Sequence, residues 1–177
     1  SKKALKEKVR HILKNYFQPA LASRFLKGRE FNVGIIGGRK LRVLPIAEVD
    51  YSQLPEDIPP IMSYAAKSIE TSVEYKKTSI ICPSTADSEL LKRISIIALR
   101  SFRAVSGWGY GRVDIRLDAD GNPCVLDVNC NPSIEESVAL ARSAAMAGVT
   151  YPRLLQTIIN TALEGPPFDM DVPMLPP

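Results

Sequence analysis

One stretch constrains this chain more than any other: Gly-Tyr-Gly-Arg-Val-Asp-Ile-Arg-Leu-Asp-Ala-Asp-Gly-Asn-Pro-Cys-Val-Leu-Asp-Val-Asn, residues 109–129. Its spacing predicts a strand over 110–117, a turn at Asp118-Ala119-Asp120-Gly121 and a returning strand over 123–129. Side chains alternate faces along a strand. Val113, Ile115 and Leu117 therefore share one face, and Arg112, Asp114 and Arg116 the other. On the second strand Leu126 and Val128 oppose Val125, Asp127 and Asn129. Bringing the apolar sets together puts Arg112, Asp114, Asp127 and Asn129 on one common face. Burial of the hydrophobic side thus gathers two carboxylates, an amide and a guanidinium on the other side.

Two readings of that face are open from the residues alone. Magnesium prefers hard oxygen ligands and commonly takes one or two carboxylates together with substrate phosphates. Asp114, Asp127 and Asn129 supply such oxygens, and a neighbouring Arg can bind a phosphate and offset charge on a transferring phosphoryl group. The commoner fate of such residues is a solvated face carrying Arg–Asp pairs. The run Asn129-Cys130-Asn131-Pro132-Ser133 follows the second strand directly and leads toward a helix. A turn of that kind can aim backbone N–H groups at an oxyanion.

The rest of the chain supplies the frame. Residues 3–16 read as an amphipathic helix with Leu5, Val9, Ile12 and Leu13 on one stripe. A short strand is expected over 20–26, another over 31–36, a turn at Gly37-Gly38 and a returning strand over 41–49 with Pro45 marking an edge or bulge. Residues 50–84 read as a long irregular loop containing Pro55, Pro59, Pro60 and Pro83, a length that points to function or mobility. Residues 87–106 are the clearest helix, capped by Asp87 or Ser88 and ended by Gly107-Trp108-Gly109. Two last helices are expected over 135–148 and 150–163, followed from Gly165 by a Pro-rich tail of extended or disordered chain. The Gly107-x-Gly109-x-Gly111 and Asp118-x-Asp120-Gly121 patterns lack the context of a dinucleotide loop or a calcium loop and read as turn chemistry.

Composition excludes several classes. With 177 residues, 45% of them hydrophobic and 24% charged, the chain can build one domain or the larger part of a bilobal one. No apolar run is long enough to span a bilayer and no signal-peptide pattern is present. The chain starts at Ser1 without an initiator Met, which is the expectation for a fragment or a processed product. The net charge of +4 comes from dispersed basic residues without interleaved aromatics, so a solvated surface is favoured over a nucleic-acid site. Three cysteines, Cys82, Cys124 and Cys130, have no metal-ligand spacing and fit a reducing, cytoplasmic setting. His11 is the single histidine, which removes support for a His-based nucleophilic mechanism.

The hairpin, with Cys-Val-Leu-Asp-Val-Asn-Cys-Asn-Pro at 124–132, resembles the metal-binding hairpin of D-alanine–D-alanine ligases and their ATP-grasp relatives. Phe25-Leu26-Lys27-Gly28-Arg29-Glu30-Phe31-Asn32-Val33 is similar to the hinge and ribose-binding segment, and Ser63-Tyr64-Ala65-Ala66-Lys67 to the phosphate-contacting loop. Ile81-Cys82-Pro83 precedes the long helix, and Ala147-Gly148-Val149-Thr150-Tyr151 lies in a closing helix pair, as in that family. The likeness runs over about residues 5–163.

This resemblance implies roles. Asp114, Asp127 and Asn129 would hold two magnesium ions, Arg112 would face the transferred phosphate, and Lys67 would touch ATP phosphates. Glu30 would bind the ribose hydroxyls, and the backbone of Leu26 would contact adenine. Ser133 and Ser137 would lie at the acyl phosphate and the substrate carboxylate. Departures are present: Asp127 stands where the family has Glu, Ser23 where it has an acidic residue, and Ser133 where it has Gly, with a turn from Ser133 to Ser137 one residue shorter. An N-terminal substrate domain and a segment carrying a further phosphate-binding Lys are expected upstream.

The expected fold is therefore α+β, an antiparallel sheet packed with helices forming an ATP-grasp C-terminal subdomain over 1–164, with 165–177 as tail. The expected activity is ATP-driven ligation of a carboxylate, such as an amino acid, to an amine through an acyl phosphate, and a homodimer is allowed. The alternatives are a non-catalytic nucleotide-binding or interaction module with a degenerate site and, less favoured, a polyanion-binding domain.

Overall fold

Glycine and a single phenylalanine decide how the largest helix meets the sheet. The computed structural model describes residues 1–165. Its elements, in chain order, are α1 (Lys2–Tyr16), β1 (Glu30–Gly37), β2 (Arg42–Val43), β3 (Ala47–Asp50), α2 (Tyr64–Ser68), α3 (Val73–Lys77), β4 (Ser79–Ile81), α4 (Ser88–Ala104), β5 (Gly109–Leu117), β6 (Pro123–Asn129), α5 (Ala139–Met146) and α6 (Tyr151–Glu164). The strands form one sheet in the order β4-β3-β1-β5-β6, with β2 also paired to β1 and every pairing antiparallel. The α+β architecture is the expected one.

The central pair is β1 with β5, in register from Glu30↔Arg116 to Gly37↔Gly109. Odd-numbered residues of both strands, Phe31, Val33, Ile35, Val113 and Ile115, are fully buried against Ile94, Ala98 and Phe102 of α4. Those three α4 residues recur every four positions, so one helix stripe meets one sheet face. Asp87 caps α4 by accepting from the Leu90 amide at 2.9 Å. The helix ends with Ser106 in the left-handed region (φ 57°) and the Gly107 amide bonded back to the Phe102 carbonyl at 2.8 Å. A Cβ added at Gly111 would meet the Phe102 ring at 2.2 Å, and one at Gly107 at 2.4 Å. The two glycines are the space into which that ring packs.

The opposite sheet face is only half covered. Leu140, Ala141 and Ala144 of α5 and Leu154 of α6 form a second cluster with Ile36 and Leu44. Gly34 lets α5 come close, since a Cβ there would lie 3.0 Å from Leu140. Beyond Gly34, toward Glu30, this face is polar.

Several expectations are corrected. Residues 20–26 form no strand. The returning strand over 41–49 is split at Pro45, which has no N–H for the ladder: β2 pairs with Ile35 and Ile36, and β3 with Glu30, Phe31 and Asn32. Residues 50–84 contain α2, α3 and β4. The short helices are capped by Ser63 and Ser72, whose hydroxyls accept from Ala66 and Tyr75. Residues 135–138 lie outside α5. Leu5 and Leu13 of α1 remain half exposed. The Asp118 turn is the expected one, with its carboxylate accepting from the amides of Asp120 and Asn122. Of the expected Pro-rich tail, residues 166–177 lie outside the described residues. Among the described residues no helix is long and apolar enough to cross a membrane.

Overpacking should show the Phe102 fit directly. Gly111→Ala should cost about 1–3 kcal/mol and Phe102→Ala about 3–5 kcal/mol in urea denaturation. The double variant should cost less than the sum, because the vacated ring space accepts the new methyl.

Candidate functional site

The polar face is a ladder three residues wide. Gly34, Arg112 and Asn129 form one rung, Asn32, Asp114 and Asp127 the next, and Glu30, Arg116 and Cys124 the third. Antiparallel register alone therefore gathers Arg112, Asp114, Asp127 and Asn129, as alternation predicts. One detail differs. Between Asp114↔Asp127 and Ile115↔Val125 the register shifts, leaving Leu126 as an extra residue in β6. Leu126 is consequently 49% exposed instead of packed beside Val128, while Asp127 stays opposite Asp114.

Asp114 and Asp127 are directly opposed like charges, an arrangement that destabilises a strand pair unless something offsets it. Arg112 does so. Its Nε and Nη2 donate to Oδ1 and Oδ2 of Asp114 at 2.7 and 2.8 Å, and the Asn32 amide donates to Oδ1 at 2.9 Å. Burial works against the Arg112 charge. The hydrogen bonds and charge of Asp114, with the charges of Asp127 and Glu30, outweigh it and hold its pKa above the ordinary guanidinium value. The Asn129 side-chain oxygen accepts from the Asn131 amide at 2.9 Å, and Asn131 Oδ1 accepts from the Tyr110 hydroxyl at 2.5 Å. The turn after β6 is thereby tied to β5.

Glu30 sits on the neighbouring rung, 6% exposed. Its Oε2 accepts from Tyr51 Oη and from Arg116 Nη1, both at 2.9 Å. Leu26 is half-buried in the segment before β1, Lys67 is exposed on α2, and Ser133 and Ser137 are exposed in the turn before α5. The Ser133 hydroxyl accepts from the Glu135 amide at 3.4 Å. Among the described residues no side-chain hydrogen bond joins Leu26, Lys67, Ser133 or Ser137 to the ladder. A cleft of about 470 Å³ opens beside the Glu30 end, lined by Lys27, Arg29, Glu48, Tyr51, Pro60 and Arg116 among others. Asp114, Asp127 and Asn129 do not line it. Among the described residues no three His, Cys, Asp or Glu side chains cluster to hold a metal; a cation on this face would complete its shell with other oxygens, from Asn, the backbone, water or a ligand.

Asn32, Arg116 and Tyr51 were not among the site residues expected from sequence. The signal for Asn32 and Arg116 is parity: both belong to the same alternation that carries Asp114. Tyr51 has no such signal, since it lies beyond β3 and reaches Glu30 only through the fold. On the α4 side of the sheet, Arg29 donates to both Glu48 oxygens at 2.6 Å, and Ser84 adds a bond at 2.8 Å.

The fold is that of an ATP-grasp-type α+β domain. A family model described as "D-ala D-ala ligase C-terminus" matches residues 1–160. "Uncharacterized protein y4sG" of Sinorhizobium fredii is 34% identical over 158 residues, covering 89% of this chain and 45% of that protein. A protein named D-alanine–D-alanine ligase from Herminiimonas arsenicoxydans is 34% identical over 149 residues, covering 83% and 41%. The crystal structure of D-alanine–D-alanine ligase from Bacillus anthracis complexed with ATP superimposes with a TM-score of 0.72 at 24% identity, covering 93% of this chain and 47% of that one. The chain belongs to the D-alanine–D-alanine ligase C-terminal domain family, and it spans less than half the length of these relatives.

The Glu48 cluster makes a pH prediction. Burial would raise the Glu48 pKa, but the hydrogen bonds from Arg29 and Ser84 and the Arg29 charge outweigh it, so the folded value lies below the ordinary one. A depressed carboxylate contributes stability above its unfolded pKa of about 4.3 and loses it as pH falls through the folded value. Urea midpoints should therefore show the parent chain losing its advantage over Glu48→Gln as pH falls from 6 toward 3. A gap that stays constant over that range would contradict the assignment.

Proposed function

We propose that this chain is the C-terminal portion of an ATP- and magnesium-dependent carboxylate–amine ligase that works through an acyl phosphate. The observation that carries the reading is the rung of Asp114 opposite Asp127 with Arg112 bidentate on Asp114. Two facing carboxylates beside an amide are a hard-oxygen donor set, and their mutual repulsion favours a bound cation. Asp114, Asp127 and Asn129 would hold magnesium, which supplies charge neutralisation at the phosphates. Arg112, on the neighbouring rung, would turn from Asp114 to a phosphoryl group as the cation takes the Asp114 oxygens. Its role is to offset charge on the transferring phosphate, while a substrate carboxylate oxygen attacks the γ-phosphorus of ATP, the bond to the β-phosphate oxygen breaks, and ADP leaves an acyl phosphate behind. An amine then displaces the phosphate. No covalent nucleophile on the protein is needed.

The remaining assignments follow the family likeness. Glu30 takes the ribose hydroxyls and the backbone near Leu26 the adenine. Lys67 approaches the phosphates from the segment after β3. Ser133 and Ser137, in the turn entering α5, face the acyl phosphate and the substrate carboxylate. The portion of the relatives outside the match supplies the rest of the substrate site. The three free cysteines fit a cytoplasmic setting.

One observation favours a second reading. Arg112 already satisfies both Asp114 oxygens, so that carboxylate is neutralised without a metal. A non-catalytic nucleotide-binding module would keep that arrangement. Calorimetric titration with ATP separates the two. The ligase reading predicts binding that requires magnesium and that Asp114→Asn weakens by roughly tenfold or more. Magnesium-independent binding would favour the module. Absence of binding even with the upstream half supplied would sink the ligase reading.

A further inference from the structure

Arg116 is the most deeply placed cation described in the fold, its side chain 4% exposed. Burying a guanidinium is costly unless its donors are used. Here its contacts reach three segments. Nη1 donates to Glu30 Oε2 on β1 at 2.9 Å, and Nε donates to the Gly28 carbonyl at 3.1 Å. The guanidinium carbon lies 4.9 Å from the Phe25 ring centre and 5.6 Å from that of Tyr51. Tyr51 in turn donates its hydroxyl to Glu30 Oε2. Burial and the Glu30 charge push the Tyr51 phenol above its ordinary pKa, so it stays a donor. One side chain thus joins the residues before β1, the first residue of β1 and the segment after β3.

The contacts on Glu30 are unevenly distributed. Both land on Oε2, and among the described residues no hydrogen bond is made to Oε1. A pair built only for stability would gain by using both oxygens, as Arg29 does on Glu48. We propose that Arg116 and Tyr51 are positioning residues that hold Glu30 by one oxygen and leave the other for a ligand hydroxyl, making the nucleotide site selective for a ribose diol. This rests on the reading of Glu30 as the sugar contact. Arg116 and Tyr51 also line the 470 Å³ cleft at this end of the sheet, which places those two residues, directly behind Glu30, at an accessible surface.

The test is calorimetric titration of the full chain, in magnesium, with ADP and with 2′,3′-dideoxy-ADP. The parent should prefer ADP by about tenfold or more, as a site built to bond a hydroxyl does. Tyr51→Phe keeps the ring against Arg116 and removes only the hydroxyl. It should lower that preference by roughly threefold or more through weaker ADP binding, with dideoxy-ADP unchanged. Arg116→Met should bring the preference close to one, and Arg116→Lys should recover part of it. Equal losses for both nucleotides, or a full preference in a folded Tyr51→Phe variant, would show a purely structural network and overturn the proposal. If Arg116→Met fails to fold, Tyr51→Phe decides alone. A parent chain that binds both nucleotides equally overturns the proposal while leaving the nucleotide site standing. A parent that binds neither, with the upstream half supplied, overturns the nucleotide reading, and this proposal with it.

Discussion

The pairing of β1 with β5 is the constraint on which the rest depends. It runs for eight residue pairs without interruption. Because strand side chains alternate, that register divides the molecule. Phe31, Val33, Ile35, Val113 and Ile115 go under α4, and Glu30, Asn32, Arg112, Asp114 and Arg116 go to the other face. A slip of one residue on β5 would put Arg112, Asp114 and Arg116 against Phe102 and Ile94 while exposing Val113 and Ile115. The hydrophobic energy of the α4 face therefore specifies the polar face. Gly111 and Gly107 reinforce the choice, since only that register leaves room for the Phe102 ring.

The polar face carries more charge than a stable surface requires. Arg112–Asp114 and Arg116–Glu30 are both taken largely out of water. Buried pairs of this kind stabilise a fold weakly, because the desolvation cost offsets most of the attraction. Their consequence is orientation: the Arg112 fork holds Asp114 by both oxygens, and Arg116 with Tyr51 holds Glu30 by one. Asp127, exposed at the sheet edge, faces Asp114 with no ion pair of its own among the described residues. The contrast between a clamped carboxylate and an open one on the same rung suits a site that takes up a cation and a phosphate.

Alternation made this face legible in sequence, because period-two patterning and a turn at Asp118–Gly121 leave little freedom in a hairpin. The helix 88–104 was legible for the same reason at a period of 3.6. What escaped was non-local or locally contradictory. Residues 20–26 have strand-like composition but no partner strand, and composition alone cannot supply one. Residues 63–81 hide two helices of five residues each, stabilised by Ser63 and Ser72 caps rather than by any apolar stripe. Pro45 was visible as a ladder breaker, but that both halves of the broken strand still pair with β1 is a tertiary fact. The bulge at Leu126 shows the same limit, since one extra residue is invisible until the partner strand is in place. Tyr51 meets Glu30 from 21 positions away, and no spacing rule links them.

The acidic rung of β5 and β6 is tested most directly by manganese in the crystal. Crystals of the chain soaked with manganese and a non-hydrolysable ATP analogue should show an anomalous peak bounded by Asp114 and Asp127. Carboxylate oxygens should lie within about 2.2 Å of the ion, and Arg112 should have moved from Asp114 to a phosphate oxygen. Nucleotide bound with manganese elsewhere, or with Arg112 still bidentate on Asp114, would contradict the site.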